Sequence, residues 1–176
     1  MKPRLPTSLV AIAAAFFSGL CSGAEAQDGY ARCGELPAAV AEMRDRILRT
    51  ASNGSIEDLA ALGDAGVFTA SFGGGDTAEI WHRFAAEGTD IRHVARVLLD
   101  LDCSVAAAAD TSYYTWPAAV DLPYAELTES ERRALAELHG VELESLYVEG
   151  PEIGYYIGWA LTIAEDGDWI ALVAGD

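Results

Sequence analysis

After Lys2 the sequence contains no lysine, and its remaining positive side chains are all arginines. That absence removes the chemistries that need a primary amine. There is no Schiff-base or pyridoxal-phosphate lysine, no phosphate-loop G-K-[ST] and no S-x-x-K nucleophile pair. Histidine is nearly as scarce. His82, His93 and His139 are the three imidazoles, and no H-E-x-x-H or H-x-H spacing joins them. Each reads as a surface or packing residue rather than a zinc ligand. No D-x-[DN]-x-[DN]-G loop offers itself to calcium. Ser71, Ser104 and Ser112 lack a G-x-S-x-G elbow, so nothing marks an acyl-transfer serine. Gly73-Gly74-Gly75 precedes a helix signal, but Asp76 stands where a bound anion would sit, and G-x-G-x-x-G is not met. The expectation is a chain with no cofactor and no metal.

Long apolar runs are missing too, except at the start. Lys2 and Arg4 precede an apolar run from Leu9 to Leu20, and Ala24-Glu25-Ala26 is an A-x-A cleavage pattern. This reads as a secretory signal over residues 1–26. The run is shorter than the roughly 18–20 apolar residues of a spanning helix. Cys21 follows Leu20, and a lipobox needs a small residue there. Residues 27–176 then form one expected domain, large enough for a real core. Cleavage removes two of the 11 basic and one of the 28 acidic residues, leaving a net charge of −18. Such a chain repels nucleic acid and anionic lipid. Cys33 and Cys103 remain, and in an exported protein they are expected to form a disulfide. Neither has the C-x-x-C neighbour or adjacent base of a redox thiol. The expected location is the periplasm or outside the cell.

Periodicity supplies the elements. Leu36, Val40, Met43 and Ile47 predict a helix over about 36–51. Ser55 and Asp58 cap a short second helix that stops near Gly63. Val67–Phe72 reads as a strand. Asp76 and Glu79 start a third helix, ended by Gly88. A fourth begins at Thr89 or Asp90, with a stripe of Ile91, Val94, Val97, Leu98, Leu101 and Val105. Residues 106–126 read mostly as loop. Thr128 and Glu131 cap a helix that ends at Gly140. Tyr155–Ala164 and Trp169–Ala174 predict a terminal hairpin turned by Asp166-Gly167 in a type I′ turn. Its register pairs Ile163 with Ile170, Leu161 with Leu172 and Trp159 with Ala174, leaving Trp169 on the outer face. The fold class is α+β: a helical N-terminal part packed against a C-terminal antiparallel hairpin or small sheet.

Two features suggest sites. Acidic neighbours abound (Asp100 with Asp102, Glu129 with Glu131, Glu165 with Asp166 and Asp168), and paired carboxylates serve glycosidases. In so acidic a chain they read more simply as caps and solvated faces. The second feature is "YYTWPAAVDLPY" at 113–124. Tyr113, Trp116 and Tyr124 can stack on a partner, or can be ordinary core aromatics. Pro117 pushes Trp116 to an extended conformation. The segment reads as a clamped loop or edge strand.

"YYTWPAAVDLP" resembles the F-x-x-P-Y or Y-x-W-P-Y segment of exported bacterial proteins of unknown function, some with an SH3-like module. "IAEDGDWIALVAGD" is similar to the D-G-x-W-x-F-F-V-A-G-D ending of uncharacterised alphaproteobacterial periplasmic proteins. The order helix, helix, strand over 36–72 is similar to the opening of NTF2-like domains. The first two resemblances imply export and assign no catalytic residue. The leading expectation is therefore a non-enzymatic module that binds a protein or cell-envelope component, with Tyr113, Trp116 and Tyr124 as candidate contacts and Trp116→Ala expected to fold. The alternatives are a carboxylate-dependent hydrolase with an aromatic-lined site and a purely structural envelope protein.

Overall fold

Local chemistry starts and stops the helices. The computed structural model describes residues 30–63, 68–70, 74–108, 110–150 and 154–175. Strand β1 (Ala31–Arg32) leads into helix α1 (Ala38–Asn53), whose buried Val40, Met43, Ile47 and Ala51 follow the predicted stripe. Ser55 and Asp58 form a reciprocal capping box that begins α2 (Ile56–Ala60). The Asp76 carboxylate accepts the Glu79 N–H at 2.9 Å and starts α3 (Thr77–Ala86). Asp90 does the same for α4 (Ile91–Leu99) through the Arg92 N–H. A Thr128–Glu131 box starts α5 (Glu129–His139), and Gly140 ends it at φ 66°, in the left-handed region that glycine tolerates. The expected leader over 1–26 lies outside the described residues, as do Ser71 and Gly73 and half of the expected strand at 67–72.

The fold is α+β. A five-stranded antiparallel sheet runs in the order β1, β2 (Ser104–Ala108), β3 (Thr111–Trp116), β6 (Trp159–Ala164) and β7 (Trp169–Ala174). Between β3 and β6 the chain leaves the sheet, forms α5, and adds a two-stranded sheet of β4 (Tyr147–Val148) and β5 (Tyr155–Tyr156). Helices α1 and α4 pack on β6. Val40, Ile47, Ile91, Leu98, Leu161, Ile163 and Leu172 share one hydrophobic cluster across that contact.

Three expectations change. The fourth helix ends at Leu99 and does not reach Cys103. Its Asp100 cap turns the chain, so Val105 of the apparent stripe lies in β2 opposite Tyr114. The segment at 106–126 is not mostly loop. It contains the end of β2 and all of β3, which is an interior strand paired with both β2 and β6. Alanine-rich Ala106–Ala108 has weak β propensity, and only pairing with distant strands makes it extended. Finally, Tyr155–Ala164 is broken into two strands of different sheets, because the Ile157 N–H donates to Leu146 O at 2.9 Å.

The hairpin forms with the outer register expected, Trp159 with Ala174 and Leu161 with Leu172. Its turn differs. The Gly167 N–H donates to Ala164 O, and the Ala164 N–H to Asp168 O, both at 2.9 Å. Gly167 has φ 93°. This is a three-residue loop with glycine in the left-handed position, not a two-residue type I′ turn. Ile163 then pairs with Trp169, and Ile170 becomes the extra residue of a bulge. The bulge turns Trp169 onto the helix side. There it is 1% exposed, and its ring meets Phe68 at 4.8 Å and Trp81 at 5.9 Å. The outer edge of β7 is met by Thr69, whose N–H donates to Ile170 O at 2.8 Å and whose O accepts from Leu172 at 3.1 Å.

Candidate functional site

Side chains directly opposite in an antiparallel pair share a face. Trp116 lies opposite Leu161, and Leu161 opposite Leu172, so all three point toward the helices. Trp116 is 1% exposed and belongs to the core. Tyr113, three residues earlier, takes the other face with its partners Ala106 and Ala164. Tyr124 is elsewhere, beside the Tyr147 ring at 5.5 Å, with the Arg132 guanidinium 5.0 Å above it and its hydroxyl donating to Glu144. The structure therefore does not bring Tyr113, Trp116 and Tyr124 together. Only Tyr113 and Tyr124 retain partial exposure.

The face around Tyr113 is built from small side chains. Ser104 and Thr115 occupy its buried end. Ser104 Oγ donates to Asp121 Oδ2 at 2.5 Å, tying the turn after β3 to the sheet. Burial raises the Asp121 carboxyl pKa above its usual range, although the Ser104 bond opposes this. Thr115 Oγ1 and Thr162 Oγ1 lie 3.2 Å apart across β3 and β6. Beyond them Ala106, Tyr113, Ala160, Thr162, Ala171 and Val173 are half-exposed. Strands β2, β3, β6 and β7 carry no charged side chain. An antiparallel sheet packed on one side alone normally alternates apolar with polar and charged residues. Here the alternation runs between large apolar residues on the helix side and small uncharged ones on the other.

The acidic neighbours are largely engaged in the fold. Arg32 places its guanidinium on Glu131 at 2.7 Å and Asp102 at 3.0 Å, and donates to Glu126 O at 2.7 Å. Burial pushes the Glu131 carboxyl up, but the bonds from Arg32 and Thr128 outweigh it, so its pKa lies below the ordinary value. Glu165 accepts the Ser112 N–H and Asp166 accepts the Asp168 N–H, while Asp100 closes α4 through its backbone N–H alone. His82 Nε2 lies 2.7 Å from Glu57 Oε1, a hydrogen bond that holds the Glu57 carboxyl at about 2.

Beside Arg32, Cys33 is disulfide-bonded to Cys103 with the Cα atoms 5.3 Å apart. The Cys33 N–H also donates to Cys103 O at 2.8 Å. No helix of the described residues is long and apolar enough to cross a membrane, and no three of their His, Cys, Asp and Glu side chains are grouped to hold a metal. The sequence reading missed that Thr162, Ala160, Ala171 and Val173 share one face of the sheet with Tyr113. The available signal was the charge-free composition of all four long strands.

No family model, no curated protein and no solved structure matches this chain.

Proposed function

We propose that this chain is an exported, non-enzymatic module that binds a protein of the cell envelope through the open face of its sheet. The observation that carries this reading is charge depletion. The chain has 28 acidic and 11 basic residues, yet the four strands that build the half-exposed face around Tyr113 carry none, and Asp121 alone reaches its buried end from the turn after β3. Interface cores are depleted of charge and enriched in aromatic residues, whereas a merely solvated face has no reason to exclude Glu or Arg. The flat face of Ala, Thr and Val admits another surface closely, and Tyr113 supplies a rigid aromatic contact. The signal-like leader and the Cys33–Cys103 disulfide support export.

The test is site-specific photo-crosslinking in cell envelopes. A crosslinker at Tyr113 should give a discrete, saturable adduct with another protein. One at Glu42, exposed on α1, should not. Tyr113→Arg with Thr162→Arg should leave the fold intact and abolish competition for the partner. No adduct at Tyr113, equal adducts from both positions, or an adduct only with a second copy of the chain would overturn the reading.

A further inference from the structure

A cleft of about 340 Å3 lies where the α3–α4 turn, the first turn of α4, the end of α5 and the start of β6 meet. Thr89, Asp90, His93, Val94, His139 and Trp159 line it. Other elements build it than those that carry the Tyr113 face, apart from the first residue of β6. Gly88, at φ 98°, turns the chain into the cleft wall. Trp159 is held edge-on against Phe84, with ring centres 5.4 Å apart.

The hydrogen bonds of His139 determine what it offers. Its Nε2 lies 3.3 Å from the Trp159 backbone nitrogen and 2.9 Å from the Tyr156 hydroxyl. A backbone N–H can only donate, so Nε2 carries the lone pair and the ring hydrogen sits on Nδ1. Tyr156 must then donate as well. Burial lowers the His139 pKa and raises that of Tyr156, keeping each group neutral, as these roles require. Gly158 makes the cluster possible, since a Cβ there would lie 2.1 Å from the Tyr156 hydroxyl oxygen and 2.6 Å from His139 Nε2. Nδ1–H has no hydrogen-bond partner among the described residues. Also lining the cleft, Asp90 uses Oδ1 to accept the Arg92 N–H at 3.1 Å and to pair with the Arg92 Nε at 3.5 Å. Its Oδ2 has no hydrogen-bond donor among the described residues.

The cleft thus pairs one neutral donor with one anionic acceptor beside an indole and a valine. We propose that it binds an α-amino acyl group, an ammonium next to a carbonyl, as carried by free amino acids and by peptide N-termini. His139 Nδ1–H donates to the carbonyl oxygen, the Asp90 carboxylate takes the ammonium, and the side chain of the ligand lies on Trp159 and Val94. A single acid or a single base would not require both groups, and the opposite polarity of the two anchors is what selects this class.

Isothermal titration calorimetry tests this with free L-amino acids, unmodified dipeptides and N-acetylated forms of both. Binding should require the free ammonium, and acetylation should weaken it at least roughly tenfold, as loss of one charge-assisted hydrogen bond does. His139→Gln keeps an acceptor for the Trp159 N–H and loses the Nδ1 donor. Asp90→Asn keeps the helix cap and loses the charge. Each should weaken binding at least roughly tenfold. Heat from dipeptides alone assigns the site to peptide N-termini, and heat from both ligand types to the shared group. The imidazole nitrogen spectrum should show His139 with its hydrogen on Nδ1. No saturable heat with any ligand, undiminished binding of the acetylated forms, wild-type affinity in both variants, or a hydrogen on Nε2 would each overturn the proposal. None of these outcomes touches crosslinking at Tyr113, so the two readings fail separately.

Discussion

Removing the Cys33–Cys103 bridge, as Cys33→Ala with Cys103→Ala, should destabilise the protein mainly through its unfolded state. The bridge spans a sequence separation of 70. Closing a loop of that length removes about 4 kcal/mol of chain entropy from the unfolded ensemble at 25 °C. The native contacts should survive the change. Arg32 remains anchored to Glu131 and Asp102, and the Cys33 backbone N–H still reaches residue 103. For a folded part of about 150 residues the loss corresponds to a fall in unfolding temperature of roughly 10–15 °C. Calorimetry of the oxidised protein and the double variant measures this directly. Urea titration supplies a second readout, because the unbridged chain unfolds to a more expanded state and its m-value should rise. A loss under about 1 kcal/mol with an unchanged m-value would refute the argument. It would mean that the unfolded chain is already held together near these residues.

Trp116→Ala, expected from sequence to fold, should cost about 3–5 kcal/mol, because the ring is 1% exposed and its loss leaves a cavity in the core beside Leu161. A wild-type urea midpoint would contradict this. Gly167→Ala should cost at least about 1 kcal/mol, since φ is 93° and the added Cβ would lie 2.9 Å from Ala39 O. An unchanged thermal midpoint would show that the turn can relax away from α1. The His139 pKa is lowered on folding by burial. The unfolded chain therefore takes up this proton near pH 6.5, while the folded protein does so only at lower pH, and the stability due to neutral His139 falls as pH drops through that window. Lower pH also relieves acidic self-repulsion, so the readout is the difference between wild type and His139→Gln. The wild-type protein should lose more stability between pH 7.5 and 5.5, and parallel profiles would refute the assignment.

Helix boundaries were the most legible part of the fold. Ser55, Asp76, Asp90, Thr128 and Gly140 act within a few residues of themselves, and each is a cap in the structure. The disulfide was legible because only two cysteines remained to pair. The outer register of β6 and β7 was read from a two-residue turn, and it holds because the extra residue of the loop and the bulge at Ile170 offset each other. The bulge itself was not legible, and without it the sequence reading put Trp169 on the wrong side of the sheet. A bulge is favoured by packing, here Trp169 against Phe68 and Trp81, and those residues are distant in sequence.

The candidate site divided along the same line. Tyr113 and Trp116 are three apart in a strand, so they face opposite ways, but that argument needs β3 to be a strand. The Thr, Tyr and Trp of β3 favour a strand, but the alanine run before them and the two prolines after them read as loop, and only pairing with β2 and β6 fixed the segment in the sheet. The sequence by itself determined the acidity, the absence of lysine chemistry, the capped helices and the cysteine pair, because composition and caps act locally. Tertiary structure alone decided which aromatics are core, which face lacks charge, and that His139, Tyr156 and Trp159 meet. Those depend on which distant segments can share one core and satisfy each other's backbone groups.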